Sequence, residues 1–230
     1  MNLAALWAEV ESDQSWRQDE IRTWQNLISL EASEDIQNQL RRPLVLLLYA
    51  HFEGFCKFAF ALYVRVVNEE GISCEDANFA IAAATLDDIF RALHDSSHKV
   101  PEFKHSLPDD TYLHRFARER EFLEKTAEVG RKPVRISDKV LDMESNLSPT
   151  VLRKVLFRLG FEHEAFRHLD GTINRLLNYR NNIAHGSSKG GINAADYEKL
   201  REDAFIVMNE TKRMVMHFLS AEKYLRHNSS

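Results

Sequence analysis

Leu44-Val-Leu-Leu-Leu-Tyr-Ala-His-Phe-Glu-Gly-Phe-Cys-Lys-Phe-Ala-Phe-Ala-Leu-Tyr-Val-Arg-Val-Val67 is the most apolar stretch of the chain, and its reading decides the fold. The run is long enough to cross a bilayer as a helix. Two residues argue against that. Glu53 and Lys57 sit in its middle, and a charge at the centre of a membrane helix costs roughly 2.5–3.5 kcal/mol on insertion scales. A helix that is apolar on most sides is also what the central element of a helical bundle looks like. The expectation is therefore a buried core helix over residues 36–69 of an all-α protein, with Pro43 as a kink or a second start, and no membrane span.

Working outward from that run, the pattern stays helical. Towards the N-terminus, Leu3, Leu6, Trp7, Val10, Trp16, Ile21, Trp24, Leu27 and Ile28 recur at helical spacing. They predict a separate N-terminal helix within residues 1–33. Towards the C-terminus the spacing predicts helices over 81–93, 111–129, 149–159 and 161–179, and a long closing helix from Asn193 to about Leu225. Ser148-Pro149 marks one helix start, with Pro149 in the tolerated first turn. Residues 95–146 are less regular, with a loop over 94–110 and a short extended piece near Lys132-Pro133-Val134. One domain over residues 1–230 accounts for the whole pattern, with 36–225 as its core.

Composition agrees. Only 8 glycines and 5 prolines punctuate 230 residues, which favours long helices over many strands and turns. The net charge of −5 excludes a protein that coats nucleic acid through overall basicity, so any nucleic-acid contact has to be a local patch. Cys56 and Cys74 make no disulfide framework and no metal-ligand spacing. The opening Met-Asn-Leu-Ala-Ala-Leu-Trp lacks a basic leader, so a cytoplasmic protein is expected.

The sharpest local feature is Asn178-Tyr-Arg-Asn-Asn-Ile-Ala-His-Gly186, where an apolar helix ends in polar residues before the loop Ser187-Ser-Lys-Gly-Gly191. Arg180 and His185 point about 140° apart on an unbroken helix. They converge only if the helix ends near the histidine, or they meet the same groups on a second chain. Arginine grips two phosphate oxygens at once, and imidazole moves protons near neutral pH. Together they suit phosphodiester cleavage in which a 2′-hydroxyl attacks the adjacent phosphorus, with no metal or other cofactor required. Asn181 and Asn182 add neutral donors and acceptors for ribose, phosphate or Arg180. The same residues also fit a plain C-terminal helix cap, with Gly186 at the stop.

Taken in order, these blocks resemble the HEPN superfamily, in its prokaryotic MAE-type branch. Arg180-Asn-Asn-Ile-Ala-His185 matches the family's arginine, four to six residues, then histidine. The segment Leu46-Leu-Leu-Tyr-Ala-His-Phe-Glu-Gly-Phe-Cys-Lys57 resembles the family's second-helix block. Asn146-Leu-Ser through Leu159-Gly160 and the helix after Ala195-Asp-Tyr197 fit the same pattern, so the resemblance covers roughly residues 36–225. It implies a HEPN-type helical bundle of long antiparallel helices, here with an extra N-terminal helix. It also implies a homodimer that brings two Arg/His sets into one cleft, and metal-independent cleavage of RNA in a toxin or antiphage role, restrained by an antitoxin or other partner protein. Arg180, His185 and Asn181 take the family's catalytic positions. Glu53 matches an acidic residue beside that site, and Tyr49, Glu53 and Lys57 share one face of their helix. Lys57, Tyr49 and Asn182 are the expected substrate contacts. A Glu53–Lys57 pair on a partly exposed stripe is the plainer alternative for the acid. Some relatives carry a modifiable tyrosine two residues after the histidine. Ser187 stands there instead, which argues against control by tyrosine adenylylation. The runner-up function is a non-catalytic HEPN module that binds RNA, nucleotide or a protein.

The remaining histidines give no ligand pattern. His51 lies far around the helix from Glu53, His163 and His168 flank a helix, and His94, His98 and His105 lie in or near the polar loop without supporting Cys or acidic residues. Arg131-Lys-Pro-Val-Arg135 and Arg153-Lys154 are read as solvated surface.

Overall fold

A computed structural model of the chain describes residues 1–97, 111–144, 146–187 and 189–226. Eight α-helices follow one another among these residues: α1 (Leu3–Ser29), α2 (Glu34–Glu69), α3 (Phe79–Thr85), α4 (Asp87–His94), α5 (Thr111–Thr126), α6 (Pro149–Arg158), α7 (Asp170–Ala184) and α8 (Ala194–Ser220). Two isolated bridges, Ser73 with Pro133 and Ala77 with Leu225, are the only β pairing among the described residues. The fold is all-α, as the spacing predicts.

The apolar run forms the middle of α2, and the other long helices pack around it. Phe52, Phe55, Cys56, Ala59, Phe60 and Tyr63 are fully buried there. Each large apolar side chain taken from water contributes about 1.5–3 kcal/mol, so α2 holds the bundle together. By length and composition it is apolar enough to cross a membrane, yet α1, α7 and α8 cover much of its apolar surface with protein. Pro43 does not break it. It falls in the third turn of a continuous helix, whose start is set by Ser33 accepting from the Ile36 backbone N–H.

The closing helix α8 buries Tyr197, Leu200, Ala204, Val207, Met208, Thr211 and Val215 at three- and four-residue spacing. Helix α1 lies across α2 and α8, tied down by polar contacts: Gln14 donates to Asn209 at 2.8 Å, and Lys212 pairs with Glu11 at 2.7 Å. Its buried stripe is Val10, Gln14, Ile21 and Ile28. Trp16 and Trp24, expected on that stripe, are half exposed. The stripe rotates past them because α1 pairs its polar residues with α8.

Several boundaries differ from the expectation. The helix over 81–93 is two, broken at Leu86, where backbone N–H groups of a tight turn restart it as α4. Residues 161–166 are not helical. A 3-10 turn over Arg167–Leu169 leads into α7, which starts at Asp170 and runs on to Ala184 instead of stopping at Tyr179. The extended piece near Pro133 is one bridge. Residues 98–110 of the expected loop, with His98 and His105, lie outside the described residues.

Candidate active site

Helix α7 carries the polar cluster because its buried face, Ile173, Leu176 and Ile183, packs on the bundle and leaves the other faces to polar residues. The helix ends at His185. Its backbone N–H still donates to the Asn181 carbonyl at 2.9 Å, and Gly186 N–H donates to Ile183 O at 3.1 Å. Gly186 then takes φ +71°, the left-handed conformation in which glycine ends helices without Cβ strain. Arg42 of α2 reaches the same end, donating to Ile183 O at 3.4 Å.

Arg180 sits one turn back on α7 and is half buried. Its Nη1 donates to Asn146 Oδ1 at 2.7 Å and to Asn181 Oδ1 at 2.9 Å. The guanidinium lies 5.4 Å from the centre of the Tyr49 ring, a cation–π contact. Among the described residues no carboxylate comes within ion-pair distance of it. Arg175, also on α7, is by contrast neutralised by Asp203 at 2.8 Å.

Asn146 is held as firmly as a helical residue. Its backbone N–H donates to Met143 O at 3.0 Å, and its own carbonyl accepts from Ser148 N–H at 2.9 Å. Leu147 beside it is fully buried, and Ser148 caps α6. Spacing did not single out Asn146 as a site residue. It lies 34 positions from Arg180, and only the packing of α6 against α7 joins them.

Tyr49 and Glu53 stand one turn apart on α2. Tyr49 is almost wholly buried, so the expected substrate contact is instead the floor under Arg180. Burial pushes its phenol well above the usual range, and the Glu53 carboxylate pushes it further. The Leu147 backbone and the Arg180 charge act the other way. Among the described residues no group meets the Tyr49 hydroxyl at strict hydrogen-bond geometry, although the Glu53 carboxylate and the Leu147 backbone lie beside it. Glu53 makes no ion pair among the described residues, so the Glu53–Lys57 pair does not form, and Lys57 is exposed. Nor does a hydrogen bond join Glu53 to Arg180 or His185. Its reach to the cluster runs through Tyr49.

His185 and Asn182 are exposed at the open end of α7. The helix does end at the histidine, one of the two conditions for convergence, yet no contact within the chain joins His185 to Arg180. Arg180, Asn181, Asn146 and Tyr49 therefore form one connected group. His185, Asn182 and Lys57 stand in solvent outside it.

His51 and the basic pair Arg153-Lys154 have structural partners. His51 faces α1, as its helical position implies. It stacks edge-on against Trp16, with Nε2 2.9 Å from Glu20 Oε2, though off the hydrogen-bond direction. Arg153 pairs with Asp170 and Glu164, and Lys154 with Glu144. Among the described residues no three His, Cys, Asp or Glu are grouped to hold a metal ion.

No curated protein and no solved structure matches the chain. A match to one family does run through nearly all of it, across residues 6–224, taking in α1 as well as the Arg180 cluster. The chain belongs to the HEPN_MAE_28990-like HEPN family.

Proposed function

We propose that the protein is a metal-independent endoribonuclease of the HEPN type that works as a homodimer. The observation that carries this reading is the state of Arg180. It is held from behind by two neutral amide oxygens and an aromatic ring, and among the described residues no acid pairs with it. Arg175, in the middle of the same helix, is by contrast paired with Asp203. Pre-aimed positive charge of this kind stabilises the extra negative charge on a phosphorane-like transition state.

In the proposed reaction the RNA 2′-oxygen bonds to the adjacent phosphorus and the bond from phosphorus to the 5′-oxygen breaks. One copy of His185 takes the 2′-hydroxyl proton, and the copy in the second protomer protonates the departing 5′-oxygen. Arg180 binds the non-bridging oxygens. Asn146, Asn181 and Tyr49 fix its direction, and Glu53 tunes that floor from α2. Asn182 and Lys57, both exposed, are placed to meet the ribose or a neighbouring phosphate. The separation of His185 from Arg180 within one chain supports a site completed by two.

The resemblance to HEPN toxins supports a role as a toxin or antiphage effector acting on cytoplasmic RNA, with an antitoxin or trigger protein as partner. A non-catalytic binding module is the second reading, favoured by one fact: among the described residues no neighbour fixes the orientation of the His185 side chain. The two are separated by incubating purified protein with RNA in excess chelator. The proposal expects products ending in a 2′,3′-cyclic phosphate, no cutting where the scissile nucleotide is 2′-deoxy, and specific activity that falls on dilution. RNA bound but left intact would establish the second reading.

A further inference from the structure

A groove on another face of the molecule has the make-up of a single-strand RNA site. It lies between α3, α4, the 3-10 turn Asp138–Leu141 and the end of α6, with a volume of about 630 Å³. Phe79, the first residue of α3, and Phe157, near the end of α6, line it. They are 75% and 68% exposed, an unusual state for two phenyl rings on one groove. Ala80, Ala83 and Ala84 line it too, and their short side chains leave the space open.

The groove exists because α6 and α3 approach closely. Gly160 ends α6 at φ +78°, and a Cβ there would come within 3.2 Å of Ala80 and within 3.1 Å of the Asn78 carboxamide. That carboxamide caps α3 by accepting from the Ile81 N–H, and it donates to Lys223 O at 2.8 Å. The two rings thus stand on helix ends that are fixed to each other.

Charge points to the occupant. Arg91, Lys139 and Arg158 line the groove with Asp87 and Asp142, an excess of one cation on a chain whose net charge is −5. Arg91 is paired with Asp87. Lys139 and Arg158 are exposed and make no ion pair among the described residues. The Arg226 guanidinium lies 4.4 Å from the centre of the Phe79 ring and turns one face of it into a cationic stack. Aromatic faces for bases, interleaved with free cations for phosphates, are the elements of single-strand binding. An apolar protein segment would use the rings and leave two desolvated cations unpaired. Asn146, which holds Arg180, follows Asp142 by four positions in the chain.

We propose that this groove is a second RNA-binding site, separate from Arg180 and His185, that takes a short single-stranded segment by stacking bases on Phe79 and Phe157 and pairing phosphates with Lys139 and Arg158. It rests on the ribonuclease reading for the identity of the substrate, but its binding is measurable without cleavage. The test uses a fluorescein-labelled oligouridylate of about 12 nucleotides, within the range of single-strand sites, and the full-length protein. Anisotropy is read across a salt series for wild type, Phe79→Ala, Phe157→Ala and the pair Lys139→Ser/Arg158→Ser. Each phenyl removal is expected to weaken binding about 5-fold or more. The double charge removal lowers the slope of log K against log salt by about 1.4, or about 0.7 per contact on a single strand. All four positions are exposed, so circular dichroism spectra stay unchanged. Wild-type affinity and slope in every variant overturn the proposal, as does equal wild-type affinity for duplex RNA, whose bases cannot stack on the rings. Cleavage of a dinucleotide, too short to reach the groove, reports separately on the Arg180 site. Its absence alongside intact groove binding counts against the ribonuclease reading and leaves the groove standing.

Discussion

Asn146→Asp is the substitution that separates a working Arg180 from a structural one. The two side chains have nearly the same shape, and the atom that changes character is the one Arg180 holds at 2.7 Å. A carboxylate there ionises at neutral pH, since aspartate titrates near 3.9 and the adjacent guanidinium favours the charged form. Two unit charges about 4 Å apart attract by about 4 kcal/mol at an effective dielectric near 20. Both groups are half exposed, so screening leaves about 1 kcal/mol or less as net stability. For a cap, the change is neutral or stabilising and nothing else follows. For a phosphate site, the new acid occupies the charge that the transition state needs. Loss of one such preorganised donor costs about 100- to 1,000-fold in rate. The assay pairs a thermal melt with cleavage of a labelled RNA in chelator. The account expects an unchanged or higher melting temperature together with that fall in rate. Wild-type cleavage by the folded variant would refute the claim that Arg180 acts through its charge.

Other parts of the structure carry their own predictions. Tyr49→Phe keeps the ring under Arg180 and removes a hydroxyl with no good partner, so stability by urea titration stays within about 1 kcal/mol of wild type and cleavage is retained. A large loss of cleavage would instead assign the hydroxyl to the chemistry. Gly160→Ala puts a Cβ at φ +78° against Asn78 and Ala80, and urea titration should show a loss of about 1–2 kcal/mol or more. His51 is driven below its usual 6.5, first by burial and then by the Arg17 charge, with Glu20 and Asp13 opposing. The unfolded chain therefore binds the proton more readily, and stability falls as pH drops through 6.5 and below. His51→Gln should flatten that part of the melting-temperature profile, and an unaltered profile would place the titrating group elsewhere.

Sequence spacing carried the all-α class and the central place of α2 because burial on nearly all sides leaves an apolar run that no half-exposed helix shows. It misjudged α1, where tryptophan was read as core, although a large ring can lie half out along a helix that is fixed by polar pairs to α8. It missed the break at Leu86 and the late start of α7, since neither is marked by proline. Within the candidate site, Arg180 and Asn181 were legible as neighbours, while His185, close to them in sequence, stands apart in space. Asn146 and Arg42 were not legible, because their contacts to α7 depend on tertiary packing. The exposed pair Phe79 and Phe157 carries no periodic signal at all. Each looks like an ordinary core residue until burial is known.

The central claim is that His185 transfers protons in RNA cleavage, although it stands exposed with no side-chain partner among the described residues. Its most direct test is single-turnover cleavage of RNA in chelator by wild type and His185→Ala. His185 is exposed and ends its helix through the backbone, so the variant folds with the same melting temperature. The account predicts that cyclic-phosphate product disappears with the imidazole while RNA binding persists. Undiminished cleavage by His185→Ala would contradict it.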